Sequence, residues 1–228
     1  IRDLIVTGVQ TCALPIYLKS LSYWNGWSKS RHGNPVYDLW LDDYKEDLEK
    51  HKYTKFLDLG CGIGPDTLYL IERGYKVISV DYSEEAINNI NNNIKGGEGK
   101  VMDMNKKFTF EDNSFEIIIA DICLQFFNEE KTKHIMNEIK RILKKGGLLI
   151  TRVPSINDVN YGAGKGKEVE KRYYDQGSMT KRFFNEDDLN TFFGIIGKFT
   201  FVEKAMVRNE PYYSKPKYLY QVRVVCDK

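Results

Sequence analysis

Phe56-Leu57-Asp58-Leu59-Gly60-Cys61-Gly62-Ile63-Gly64-Pro65-Asp66 decides how this chain of 228 residues is read. A short apolar run ends in an acid, glycines alternate with other residues, and a helix begins. Pro65 in the first turn, the periodic Leu68 and Ile71, and Gly74 as a stop mark that helix. A strand that passes through a glycine turn into a helix is a place to hold a nucleotide-like ligand. The glycines let backbone approach a ligand with no Cβ between them, and the helix N-terminus offers unpaired N–H groups. The spacing is G-x-G-x-G with Asp58 ahead of it, not the G-x-G-x-x-G of a dinucleotide fingerprint. That departure moves the reading away from NAD.

The length favours one domain with a sizeable core. A hydrophobic content of 42% against 29% charged residues is that of a globular protein. A net charge of +2 supplies no electrostatic argument for nucleic acid or for a membrane surface. No apolar run approaches the ~18–20 residues needed to span a bilayer. Cys12, Cys61, Cys123 and Cys226 lack C-x-x-C or Cys/His ligand spacing, so neither a metal site nor a disulfide framework is expected. Reduced thiols in a cytoplasmic protein are the reading taken. His32, His51 and His134 are scattered, and none is assigned a catalytic role.

Outward from the glycine turn, Lys76–Val80 reads as a second strand ending at Asp81. An acid there, 21 residues after Gly60, is placed to accept from both ribose hydroxyls of a bound nucleoside. It also suits the N-terminus of the next helix, which runs from Ser83 to about Ile94. The asparagines of that helix (Asn88, Asn89, Asn91, Asn92, Asn93) read as a solvated face without function. Lys100–Met104 is a short third strand and Phe115–Ala120 a buried fourth, with Asp121, Leu124 and Gln125 at its carboxyl end. Asn128 caps a helix that ends at Lys144-Lys145-Gly146-Gly147, and Leu148–Val153 is a fifth strand. Cys123 reads as core. Strands alternating with helices predict a parallel, doubly wound α/β sheet. Phe199–Ala205 and Tyr218–Val225, with no helix between them, must pair antiparallel.

Three segments fall outside this rhythm. Val6–Ile16 resembles, residue for residue, one reading frame of a sequencing-library adapter, so residues 1–16 are expected to be a poorly packed non-native artefact. A signal peptide is disfavoured there, for want of a basic start and an apolar core. In residues 17–52, Tyr23, Trp24 and Trp27 precede Arg31-His32-Gly33. A helix from Val36 to Lys50, capped by Asn34 with Pro35 at its first position, carries an apolar stripe of Tyr37, Trp40 or Leu41, Tyr44 and Leu48. Residues 154–182 form a long insertion at the carboxyl edge. Its glycines and lysines suggest a phosphate loop, but the G-K-[ST] ending is missing. A substrate-side lid and a merely flexible surface loop both stay open there.

D-x-G-x-G-x-G, with acids after the second and third strands, resembles the class I S-adenosylmethionine-dependent methyltransferases. The resemblance covers about residues 36–228 and is strongest at the glycine turn. It implies a Rossmann-like sheet of order 3-2-1-4-5-7-6 with the seventh strand antiparallel, in a single domain over residues 17–228. It implies S-adenosylmethionine as cofactor, with Asp58, Gly60, Cys61, Gly62 and Gly64 around the methionine part and Asp81 on the ribose. Tyr82 would lie beside the adenine, with Asp103 on its N6 amine and Met104 next to it. Asp121 would hold the ammonium group. Arg31 is a candidate for the cofactor carboxylate, and Leu124 and Gln125 for the methyl-transfer pocket. Trp24 and Trp27 either pack on the sheet or form a lid, and Asp103 is otherwise a solvated turn acid.

No Asn/Asp-Pro-Pro-Tyr/Phe or Pro-Cys pattern follows the fourth strand, so a small-molecule acceptor is expected, with no nucleic acid and no membrane. No catalytic residue is named, because an acceptor that is already a nucleophile needs no general base. The oligomeric state and the acceptor atom are not specified by the chain. Two rivals stay open. One is a protein that binds S-adenosylmethionine without catalysis. The other is an NAD-dependent oxidoreductase, disfavoured by the glycine spacing and by the lack of a Tyr-x-x-x-Lys pair after the fifth strand.

Overall fold

The computed structural model describes residues 16–33, 35–206 and 215–228. Residues 1–15 of the adapter-like stretch and the expected cap Asn34 lie outside them. The described chain opens with helix α1 (Ile16–Lys29), a 3-10 turn (Trp40–Tyr44) and α2 (Lys45–Lys50). Then come β1 (Lys55–Leu59), α3 (Pro65–Glu72), β2 (Lys76–Asp81), α4 (Glu84–Asn93), β3 (Gly99–Val101) and β4 (Phe115–Asp121). A 3-10 turn (Leu124–Phe126) leads to α5 (Glu129–Ile142) and β5 (Leu143–Pro154). An insertion carries β6 (Lys167–Glu170), β7 (Tyr173–Asp175) and β8 (Thr180–Arg182), and α6 (Glu186–Phe193), β9 (Gly197–Met206) and β10 (Lys217–Cys226) complete the fold.

The main sheet has seven strands in the order β3-β2-β1-β4-β5-β10-β9. Pairs from β3 to β5 are parallel, and β10 runs antiparallel to both β5 and β9. This is the expected 3-2-1-4-5-7-6 arrangement. The strands read as continuous apolar runs because both faces are covered. Leu57, Ile118 and Leu149 face one core with Ile135 and Ile139 of α5 and Phe192 and Phe193 of α6. Phe56, Ile117 and Ile150 face the other with Trp40, Leu41, Leu48, Tyr69 and Leu70. Among the described residues, no helix is long and apolar enough to cross a membrane.

Three expectations change. The helix expected from Val36 begins instead as a 3-10 turn at Trp40, and residues 35–38 are irregular. Side-chain anchors direct that segment: Tyr37 Oη donates to Glu72, Asp38 accepts from Arg152, and Trp40 Nε1 donates to Asp66. The third strand pairs only over Gly99–Val101, so Asp103 and Met104 stand beyond it. The insertion is a built three-stranded antiparallel sheet, β6-β7-β8, rather than an irregular loop. Arg172 pins it to α6 through a two-pronged contact with Asp188 at 2.5 and 2.6 Å.

The turn into α3 sets a tight packing demand. Gly64 caps α3 at φ +96°, a conformation L side chains rarely adopt, and a Cβ there would stand 2.3 Å from Ile90 Cδ1 and 2.6 Å from Ile94 Cδ1. Gly64→Ala is therefore expected to lower the unfolding free energy by ~1–3 kcal/mol. Urea titration reads this as a lower midpoint at unchanged slope.

Candidate cofactor site

The glycine turn is held against the end of β2. Gly60 N and Cys61 N both donate to Val80 O, at 2.8 and 3.0 Å. One residue on, Asp81 accepts from Gly62 N at 3.0 Å and from Ser83 N at 2.9 Å. Burial pushes the Asp81 carboxyl above its usual range, against the pull of those amides. A carboxylate has about four lone-pair positions, so Asp81 keeps accepting capacity. A Cβ at Gly62 would meet nothing within 4 Å, whereas one at Gly60 would stand 2.6 Å from Cys123 Cβ. Gly60 is thus a packing requirement, and Gly62 faces open space at the carboxyl edge, where open α/β sheets hold ligands.

Of the expected neighbours, Met104 borders the turn, its Cε 3.3 Å from where a Gly60 Cβ would be. Tyr82 is partly buried between Asp81 and Ser83. Asp103 Oδ1 accepts from Asn105 N at 2.9 Å, a local turn contact that places the carboxylate just past β3. Cys61 departs from expectation. Its thiol packs with Ile87, Ile90 and Ile94, its N–H serves Val80 and its carbonyl serves Gly64 N, so its polar groups are spent inside the turn.

Beneath the turn lies a buried acidic layer. Asp58 accepts from Thr67 Oγ1 at 2.6 Å, and that hydroxyl also meets Ser79 Oγ at 2.6 Å. Burial, with Asp121 and Asp81 nearby, pushes the Asp58 carboxyl up to about 7. Asp66 accepts from Trp40 Nε1 at 2.9 Å and is raised well above its usual range, by burial and by Asp121 and Asp58. Asp121 is not the open carboxylate expected for an ammonium group: Arg152 Nε and Nη2 take its two oxygens at 2.6 and 2.7 Å. Asp121 and Arg152 stand in register on β4 and β5, which forces that pairing. Arg152, Asp66 and Thr67 carried no assignment in the sequence, and Trp40 was read only as part of an apolar stripe. Arg152 had a visible signal, an arginine near the carboxyl end of an otherwise apolar strand.

A roof crosses this edge. Trp24 of α1 packs on Phe126 at 4.9 Å, Ser83 Oγ donates to Asn25 Oδ1 at 2.6 Å, and Tyr173 Oη of β7 donates to Phe126 O at 3.0 Å. Arg31 lies on the Trp27 ring at 4.4 Å and donates to Trp27 O at 3.3 Å. Leu124 is fully buried in the main core. Gln125 is 1% exposed and donates to Ile122 O at 2.6 Å, while its Oε1 is buried without a partner. Ile122 itself sits at φ +48°, an outlier for a β-branched residue. Asn89 corrects the reading of the asparagine face. It is fully buried, donates to Ile63 O at 2.8 Å and Gly33 O at 3.0 Å, and accepts from Gly33 N at 2.7 Å. It joins the glycine turn to the N-terminal segment. Among the described residues no group of side chains forms a metal site.

Residues 57–151 match the model of a methyltransferase domain. The chain is 24% identical over 156 residues to a tRNA N(3)-cytidine methyltransferase of Bos taurus, covering 63% of this chain and 41% of that protein. It is 27% identical over 186 residues to phosphoethanolamine N-methyltransferase 1 of Triticum aestivum, covering 71% and 35%. The chain spans less than half the length of these curated relatives. Among solved structures, a SAM-dependent methyltransferase of Methanosarcina mazei superposes with a TM-score of 0.66 at 20% identity, over 79% of this chain and 97% of that one. One from Clostridium acetobutylicum gives 0.61 at 14%, over 93% and 100%. That likeness establishes the fold.

Two outcomes follow from the geometry. Asp58 is raised in the folded state, so between about pH 4 and 7 the native protein binds more protons at this site than the unfolded chain. Its contribution to stability therefore falls as pH rises through that window. Asp58→Asn is expected to flatten this fall in the ligand-free protein, read by denaturant titration from pH 4 to 8. Asn89→Ala leaves Ile63 O and the Gly33 backbone without partners, so a loss of ~1–3 kcal/mol is expected, with weakened S-adenosylhomocysteine binding measured by calorimetry.

Proposed function

We propose that the protein transfers a methyl group from S-adenosylmethionine to a small-molecule acceptor by in-line displacement. The observation that carries this is the glycine turn: open space at Gly62 beside an Asp81 carboxylate that its backbone amides orient and do not saturate. When bound, S-adenosylmethionine supplies a methyl group already activated on a sulfonium. The residues present fit such a ligand. Asp81 accepts from ribose hydroxyls, Gly62 admits close backbone approach, and Met104, Tyr82 and Asp103 border the nucleoside side. The unpartnered Gln125 Oε1 offers an acceptor at the end of β4. Asp121 acts through Arg152 as a wall of the site rather than as a ligand.

The remaining work falls to orientation and water exclusion. Proximity contributes ~7–11 kcal/mol in favourable cases, and an excluded site strengthens local electrostatics. In this reading α1 and the β6–β8 insertion, within residues 17–52 and 154–182, cover the acceptor side. Their contacts with Phe126 support it. No side chain at this edge is assigned as a general base.

A nucleic-acid acceptor is the second reading, motivated by the similarity to tRNA N(3)-cytidine methyltransferases. The modest net charge of +2 favours the small molecule. Thermal unfolding with S-adenosylmethionine, S-adenosylhomocysteine and NAD in parallel tests the cofactor. A ligand at 100 times its Kd stabilises by ~2.7 kcal/mol, which is ~5–10 °C at this size. Shifts with both sulfur ligands and none with NAD are expected; a shift with NAD alone defeats the proposal. Methyl transfer to unmodified tRNA from a labelled cofactor, absent with small amines and amides, would replace the small molecule by the second reading.

A further inference from the structure

A second feature lies beyond the glycine turn. At the carboxyl end of β5, against β10 and β9, is a cavity of about 200 Å³ lined by Asp38, Trp40, Arg152, Lys204, Met206 and Gln221. Arg152 and Gln221 stand opposite each other in register across the β5–β10 pair. Gln221 is only 6% exposed, and its Oε1 is buried with no hydrogen-bond partner. A buried amide of this kind is normally satisfied, so an unsatisfied one lining a cavity points to a ligand.

The surroundings narrow the ligand's chemistry. The charges around the cavity are already answered. Arg152 bonds Asp121 through Nε and Nη2 and Asp38 through Nη1, and Lys204 Nζ meets Asp43 at 2.6 Å. A charged ligand of either sign would therefore compete with an existing pair, which favours a neutral one. Trp40 and Met206, both buried, supply apolar wall. An apolar cavity of about 150 Å³ holds benzene, so this volume suits a single ring. An amide presents one donor beside one acceptor in a plane. Its complement carries an acceptor beside a donor, and turning the amide over leaves a complement of the same kind.

We propose that this cavity takes a neutral, ring-sized ligand whose edge carries a donor next to an acceptor, as in a carboxamide or an aminopyrimidine, with Gln221 as its recognition residue. In the methyl-transfer reading, on which this further step rests, that edge belongs to the methyl acceptor. Arg152 then joins the cavity wall to Asp121, at the end of the strand beside β1.

The test uses the full chain, native and Gln221→Leu. Benzamide, cytosine and benzoate are titrated by saturation-transfer NMR, and S-adenosylhomocysteine binding is followed in the same samples. Benzamide or cytosine is expected to bind the native protein and to lose at least about tenfold in affinity with Gln221→Leu. Benzoate is expected to stay unbound. The variant is expected to unfold no earlier than the native protein, because no protein hydrogen bond is removed. Gln221→Met, which keeps the volume and removes the edge, replaces it if the leucine variant does not fold. Binding of benzamide alone assigns a carboxamide, and of cytosine alone an aminopyrimidine. Failure of both to bind, or equal binding by the variants, overturns the proposal. Bound probes with no S-adenosylhomocysteine binding would remove the methyl-transfer reading and leave the cavity's ligand class standing.

Discussion

The carbonyl of Val80 and the carboxylate of Asp81 hold this site together. They take the N–H groups of Gly60, Cys61 and Gly62 in succession, so the glycine turn after β1 is built on the end of β2. The constraint is one of hydrogen-bond satisfaction. The turn, whose glycines adopt left-handed conformations, pairs only Gly64 N within itself, and the neighbouring strand end supplies acceptors for Gly60, Cys61 and Gly62. The consequence is a fixed gap at Gly62 facing a carboxylate whose orientation is set before any ligand arrives.

The same economy of charge runs beneath the turn. Asp58 and Asp66 are both raised, by burial first and then by neighbouring carboxylates that include Asp121, while a single guanidinium, Arg152, answers Asp121 and Asp38. Arg152 also lies over Trp40 at 4.5 Å, which brings the N-terminal segment into the same network.

The parallel, doubly wound class of the sheet and its antiparallel end were legible because they follow from local rules, whereas the strand order came from the family resemblance. Apolar runs separated by helical periodicity require parallel pairing, and two terminal strands without a helix between them require an antiparallel pair. Asp81 and the glycine turn were equally legible, because a glycine pattern at a strand–helix junction specifies backbone, and backbone geometry is local. The asparagine face was misread for the converse reason. Asn89 differs from Asn88 and Asn91 only in which surface α4 turns toward Ile63 and Gly33, and those partners lie 26 and 56 residues away.

The sequence by itself determined the doubly wound sheet, the glycine turn between β1 and α3, and the acid beside it, since periodicity and glycine spacing act over a few residues. Only the tertiary structure decided how the remaining acids are used. Asp121 faces Arg152 because β4 and β5 pair in one register, Asp66 meets Trp40 because α3 packs under the N-terminal turn, and Gln221 Oε1 stays unsatisfied because the guanidinium opposite it in register is taken by Asp121 and Asp38. A residue's type states what it can bond. Strand register and helix packing decide what stands within reach, and in a sheet whose neighbours come from distant parts of the chain that cannot be read along it.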